Sequence, residues 1–145
     1  MRVRPAIDAD RLAWARMRHR LWDDFEPAEL DSELEELAAI GTPYVAFIAE
    51  DGGAPVGFAE LSVRSIAEGA ALGPAAYLEG IWVETAFRRR GVARALLAAG
   101  EDWAREQGLS HIGSDALLDN EGSHRWHQAA GFGETVRLVV FGKSL

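Results

Sequence analysis

The chain has 145 residues, 48% of them hydrophobic, a formal net charge of -8 at pH 7 and no cysteine. That length and apolar share fit one domain, residues 1–145, with a core of its own, and the lack of cysteine excludes disulfides, a thiolate nucleophile and cysteine-based metal sites. The acidic balance argues against nucleic acid as the main partner and is compatible with a cationic small substrate, and no apolar run approaches the roughly 18 residues of a membrane span.

In chain order, Met1 to Ala6 alternates as a short strand does and lacks the apolar stretch of a signal peptide, which points to a soluble cytoplasmic protein. Asp8 is placed to cap a helix running to about Trp22, with Leu12, Ala15 and Leu21 on its inner side. Phe25-Glu26-Pro27 breaks it. Leu30, Leu34 and Leu37 predict a second helix over about Ala28 to Ile40, and Gly41-Thr42-Pro43 ends it. Tyr44 to Glu50 and Val56 to Ser62 read as strands joined by the turn Asp51-Gly52-Gly53-Ala54. A small-residue loop, Ala67 to Ala76, leads to Tyr77 to Val83, apolar on both faces as a central strand is.

Val92 to Gln107 reads as a third helix with Val92, Leu96, Leu97, Trp103 and Ala104 inward, and Gly108 stops it. His111 to Ala116 is a short strand. Asp119 or Asn120 caps a fourth helix, Gly131 lies where a C-terminal glycine belongs, and Thr135 to Lys143 reads as the last strand. The order gives an α/β (α+β) fold with a mixed, mostly antiparallel central sheet and about four helices.

Arg88-Arg89-Arg90-Gly91-Val92-Ala93 stands at a strand-to-helix junction. A glycine there lets the backbone approach an anion, and the first free N–H groups of the helix point at it. In a chain this acidic, three arginines in a row are a local reversal of sign that suits a phosphate.

The turn Arg88-x-x-Gly91-x-Ala93, with its flanking strand and helix and the later Asn120 to Gly131-Phe132 segment, resembles the GNAT superfamily of N-acetyltransferases over the whole chain. Tyr77-Leu78-Glu79-Gly80-Ile81-Trp82-Val83, Ser114-Asp115, His127-Gln128-Ala129 ahead of Gly131-Phe132, and Leu21-Trp22 resemble more closely the bacterial aminoglycoside 6′-N-acetyltransferases of the short, dimeric kind. The resemblance implies acetyl-CoA as donor, an amine as acceptor, direct transfer in a ternary complex and a homodimer. It implies that the backbone of Arg89, Arg90, Gly91, Val92, Ala93 and Arg94 holds the pyrophosphate. It also implies that the edge of Ile81, Trp82 and Val83 takes the pantetheine arm and polarises the thioester, and that Asn120, itself a natural helix cap, touches the arm.

Glu79 interrupts an apolar strand, where a carboxylate is costly unless it is paired or opens into a cleft. An amine arrives as ammonium and must lose a proton before it attacks. Glu79 meets that need, while an ion pair with an arginine would satisfy the same position. Asp115 is implied as a second acceptor-binding carboxylate or the base, against a plain turn aspartate; the choice of base between the two stays open. His127 stands where many superfamily members carry a tyrosine proposed to protonate the departing thiolate, and histidine titrates near neutrality; a hydrogen-bonded helix histidine is the alternative.

Trp22 matches an aromatic of the acceptor pocket, suited to a cationic sugar, or serves as core packing. The face with Glu26, Glu29, Glu33 and Glu36 either steers a polycation or is solvated. His19, His111 and His124 lack ligand-like spacing with acids, so no metal is expected. Ile66 and Val136 stand where the resembled pocket carries an aromatic and an acidic residue. Both departures bear on the acceptor and leave the cofactor turn intact. The expected activity is acetyl transfer to a primary amine of a cationic small molecule, foremost an aminoglycoside 6′-amine. Rivals are transfer to a polyamine, an amino-acid derivative or a protein N-terminus, and a non-catalytic acyl-CoA-binding module.

Overall fold

Alternating apolar residues build an antiparallel meander, and one late parallel strand completes the sheet. In a computed structural model describing all 145 residues, β1 (Arg2–Pro5), β2 (Tyr44–Asp51), β3 (Ala54–Arg64) and β4 (Ala75–Val83) pair antiparallel in that order. β5 (Ile112–Ser114) joins β4 in parallel. Helices α1 (Arg11–Leu21) and α2 (Leu30–Ile40) cover one face. Helix α3 (Val92–Glu106), with Trp126 of α4 (Glu121–Ala129), covers the other. The predicted mixed sheet and four helices are observed.

Two cores result. Trp14, Met17, Phe25 and Leu30 pack on Ile48 and Phe58 on the first face, and Val92, Leu96 and Leu97 pack on Phe47, Leu61 and Leu78 on the second. Each buried large apolar side chain contributes about 1.5–3 kcal/mol, so the sheet is fixed from both sides and can carry a site on its edge.

Two features of β4 shape that edge. Glu60 pairs with Gly80 and Leu61 with Leu78, so Glu79 has no partner across on β3 and sits in a bulge; a bulge re-aims its side chain. On the other side β5 pairs only with Ala76 to Leu78. Beyond Leu78 the two parallel strands part, leaving the edge of β4 from Glu79 to Val83 without a strand partner.

Three expectations are corrected. Asp8 does not cap α1: a turn of 3-10 helix, Asp8–Asp10, precedes it. The buried carboxylate of Asp10 accepts the Ile7 N–H at 2.8 Å and two N–H groups of Arg4 at 2.7 and 2.9 Å. That guanidinium holds the Asp10 carboxyl below its ordinary range. Leu12 is exposed and Trp14, Ala15 and Met17 are the inner residues, because at 100° per residue Leu12 falls on the far side of the helix from the Trp14, Met17 and Arg18 stripe. Thr135 to Lys143 forms no strand within this chain. Its apolar side chains, Phe141 at 90% exposure among them, meet no sheet edge, since the sheet ends at β5.

Candidate active site

The junction after β4 is made of backbone. Arg88 donates from Nε to the Val83 carbonyl at 2.9 Å and lies 4.5 Å from the Trp82 ring centre, which pins the turn to the end of β4. Arg89 and Gly91 both take the left-handed conformation, with φ of 61° and 81°. The N–H groups of Arg89 to Arg94 find no acceptor in the chain, those of Val92, Ala93 and Arg94 being the first of α3. Arg89, Arg90 and Arg94 are exposed and take part in no ion pair. Free N–H groups at a helix start, the positive end of its dipole and three unpaired guanidiniums together fit a pyrophosphate. The unpaired edge of Ile81, Trp82 and Val83 runs up to this turn and fits an extended, amide-bearing arm. The Trp82 indole N–H is buried without an acceptor.

The opposite side of β4 is made of side chains. A cleft of about 550 Å³ opens between the sheet and α2, with Trp22, Asp24, Glu33, Glu36 and Glu79 among its walls. Trp22 both packs and lines: its ring meets Phe58 edge-on at 6.4 Å. A Cβ at position 80 would lie 2.5 Å from it, so only glycine there lets the indole close on the sheet. The acidic face of α2 is therefore part of a cleft wall, with Glu29, Glu33 and Glu36 lining it, while Glu26 does not.

Glu79 is both paired and open. Its Oε1 accepts from Ser62 Oγ at 2.5 Å and Arg64 Nε at 2.9 Å, and its Oε2 from Arg64 Nη2 at 2.6 Å, yet its side chain keeps 27% exposure. The Arg64 guanidinium lies 3.5 Å from the centre of the Tyr77 ring, and the Tyr77 hydroxyl donates to Asp115 Oδ2 at 2.9 Å. Burial first, then this bond to the carboxylate, pushes the Tyr77 phenol up. Glu79 and Asp115 thus belong to one chain of contacts.

Beneath them, Glu60 is 1% exposed. It accepts the Trp14 indole N–H at 2.6 Å and lies 2.8 Å from Arg18 Nε, while Arg18 reaches Glu33 of α2 at 2.6 Å. Burial pushes the Glu60 carboxyl up to about 7, against the pull of Arg18 and Trp14.

At the parting of β4 and β5, His127 Nδ1 meets the Ser123 carbonyl at 2.8 Å. This assigns the proton there to Nδ1 and turns Nε2 toward Ser114 Oγ, 2.8 Å away. Ser114 Oγ also reaches the Leu78 carbonyl at 3.2 Å. Asn120 caps α4, accepting the Ser123 N–H at 3.1 Å. Ile66 and Val136 are 77% and 51% exposed. No group of three or more His or acidic residues has the arrangement of a metal site.

Sequence reasoning passed over Ser62, Arg64 and Glu60. The signal was present: polar residues at 60, 62 and 64 of an otherwise apolar strand share one face.

Residues 14–132 match the Acetyltransferase (GNAT) family. The chain is 40% identical over 146 residues to the aminoglycoside N(6′)-acetyltransferase type 1 of Klebsiella aerogenes, covering 99% of this chain and 96% of that protein. Among solved structures, the aminoglycoside 6′-N-acetyltransferase of Acinetobacter haemolyticus superposes with a TM-score of 0.90 at 34% identity, covering 100% of this chain and 99% of the other. The enzyme AAC(6′)-Iy, bound to the bisubstrate analogue CoA-S-monomethyl-acetylneamine, superposes with a TM-score of 0.90 at 32% identity, covering 99% and 98%.

Proposed function

Because the chain belongs to the acetyltransferase (GNAT) family, we propose that it transfers the acetyl group of acetyl-CoA directly to the 6′-amine of aminoglycosides. One observation carries the acceptor class: the cleft that ends at Glu79 has Asp24, Glu29, Glu33 and Glu36 along its wall. Such a wall suits a polycation and repels anions. The similarity to aminoglycoside acetyltransferases over nearly the whole chain supports the same acceptor.

Acetyl-CoA supplies a thioester whose carbonyl carbon accepts the amine nitrogen and whose sulfur leaves. The N–H groups of Arg89, Arg90, Gly91, Val92, Ala93 and Arg94 hold the pyrophosphate, and the β4 edge of Ile81, Trp82 and Val83, with Asn120, aligns the arm. A backbone N–H of that edge stabilises the charge gathering on the carbonyl oxygen. Glu79 and Asp115 bind the ammonium, and one of them takes its proton, directly or through water, before the C–N bond forms. Trp22 offers a ring face to the cationic sugar. As the C–S bond breaks, His127 gives the sulfur a proton from Nε2, a step for which the ring must carry a proton there in addition to the one Nδ1 shares with the Ser123 carbonyl. The same reading puts the enzyme in the cytoplasm, the compartment that supplies acetyl-CoA; no helix of the chain is long and apolar enough to cross a membrane.

Thiol release from acetyl-CoA tests this with aminoglycosides bearing a 6′-amine, one bearing a 6′-hydroxyl, spermidine and a short peptide. Turnover confined to the 6′-amine compounds is the expected result. Turnover of spermidine or the peptide alone replaces it with an acetyltransferase for another amine. Ile66 and Val136, apolar and open to solvent where polar acceptor contacts are otherwise expected, favour that second reading.

The tail supports a homodimer. Val136, Leu138 and Val140 alternate along an exposed segment, and β5 is a three-residue strand with a free outer edge. An exposed apolar strand of this kind pairs with a second copy. Light scattering at micromolar concentration is expected to give the dimer mass, and a monomer for the chain cut after Gly133; a monomer for the whole chain contradicts it.

A further inference from the structure

Arg64 has no part in the reaction above, yet it occupies the two oxygens that the reaction needs. Its Nε and Nη2 engage both oxygens of Glu79 at 2.9 and 2.6 Å, with Ser62 as a third donor. Its guanidinium covers the Tyr77 ring, one hydrogen bond from Asp115. In the free protein the cation held by these carboxylates therefore belongs to the chain itself.

We propose that Arg64 is an internal stand-in for the acceptor's ammonium, displaced from Glu79 when an amine binds there, and that it thereby sets a fixed cost which an acceptor with several positive charges repays more fully than one with a single charge. The proposal rests on the role given to Glu79 above.

Three observations support it. Three donors take three of the carboxylate's four lone-pair positions, both on Oε1 and one on Oε2, so an ammonium reaching Glu79 competes with Arg64. The pair is displaceable, since Arg64 keeps 42% of its side chain exposed and Glu79 27%; half-open pairs hold weakly. Arg18 is the contrast: only 10% exposed, it is fastened to Glu60 and Glu33 and has nowhere to go. Arg64 does have somewhere to go. Its guanidinium can stay on the Tyr77 face, near Asp115, while it releases Glu79. An acceptor with one ammonium only exchanges one cation for another at Glu79. An acceptor with several also meets Asp24, Glu33 and Glu36 along the wall, and that surplus drives the exchange.

The test compares wild type, R64A and R64Q with two acceptors: 6-amino-6-deoxyglucose, with one ammonium, and neamine, with several. The expected result for both variants is a rise in kcat/KM for the monoamine of about twofold to fivefold, the worth of a half-exposed ion pair, and a rise by the same factor for neamine, because displacing Arg64 costs both acceptors the same. Millimolar methylguanidinium is expected to compete with neamine in R64A, where it refills the vacated place, and not in wild type. A larger gain for neamine than for the monoamine overturns the proposal, because it means that Arg64 acts only through the net charge of the cleft. A fall in kcat for both acceptors at unchanged KM also overturns it and makes Arg64 a positioning residue for Glu79. Calorimetry with methylguanidinium alone, without acetyl-CoA, reads the vacated site independently of turnover. Binding to R64A but not to wild type supports the internal cation even if wild type fails to acetylate neamine, an outcome that would remove only the acceptor assignment. Absence of binding to R64A overturns it.

Discussion

The two sides of β4 solve opposite problems with different materials. On the turn side, an anion is met by backbone: the free N–H groups of Arg89 to Arg94, with Arg89 and Gly91 in left-handed conformations. On the cleft side, the proposed acceptor cation meets side chains drawn from far apart in the chain: Trp22 from the end of α1, Glu33 from α2, Ser62 from β3, Glu79 from the bulge. A backbone site is nearly indifferent to side-chain identity except where φ demands glycine. A side-chain site fails or changes its preference with single substitutions. On the proposed reading, the donor half is fixed by backbone geometry, and the acceptor half is the one that single substitutions retune.

The largest expected effect falls on the backbone half at its one demanding residue. Gly91 has φ of 81°, where a β-branched residue is badly strained, although a Cβ there meets nothing within the chain. Gly91→Val should therefore leave the fold intact but twist the row of N–H donors and stand in front of them. Acetyl-CoA affinity by calorimetry should fall at least on the order of a thousandfold, the combined worth of the strain and of several hydrogen bonds to a charged group. Unchanged affinity would move the phosphate site elsewhere. On the other half, Glu79→Gln should lower kcat on the order of a hundredfold with acetyl-CoA affinity unchanged, since its hydrogen-bond partners are Ser62 and Arg64 of β3 and not the turn that follows β4. Wild-type turnover in Glu79→Gln would end its proposed role.

Asp115→Ala should act more gently, raising acceptor KM about fivefold, as the loss of one exposed charge contact does. Tyr77→Phe, which frees Asp115 without removing it, should raise it less. If neither changes KM or kcat, Asp115 serves only to hold Tyr77. Together the two variants show whether the second carboxylate works through its charge or its placement.

The same contrast explains what was legible in the sequence. Arg88 to Ala93 is contiguous, and its chemistry follows from a strand, a glycine and a helix start, so turn and helix are found where they are predicted. Asn120 and Gly131 are local signals too, and both end up at the ends of α4. The Arg64–Glu79 pair joins residues 15 apart across a bulge, and no local pattern announces a bulge: β4 reads as an apolar strand interrupted by one carboxylate, with nothing to show its partner. Leu12 misled because it is apolar and three before the buried Ala15, while Trp14, Met17 and Arg18 centre the inner face on the other side of the helix. The tail misled in another way: its apolar, β-branched run from Val136 to Phe141 is that of a strand, but it pairs with no sheet edge within the chain.

Glu60 marks the boundary between the two halves, and the smallest effect on turnover is expected there. It is a carboxyl of the cleft floor that touches no substrate, yet with Arg18 it ties β3 to α1 and, through Glu33, to α2. Burial raises it from an ordinary 4.5 to about 7, so the folded state holds its proton more tightly than the unfolded chain does. The stability tied to that proton is fully present below pH 4.5 and is lost as pH rises through 7, a change on the order of 3 kcal/mol across the window. Glu60→Gln keeps the shape and an oxygen for the Trp14 N–H but cannot titrate. The difference in unfolding free energy, wild type minus Glu60→Gln, should therefore fall steadily from pH 4.5 to pH 7.5 in denaturant titrations, with kcat nearly unchanged at its acid end. A flat difference would mean that Arg18 keeps Glu60 ionised throughout. The floor of the cleft would then be a permanent ion pair, and any pH dependence of acceptor binding would come from the groups above it.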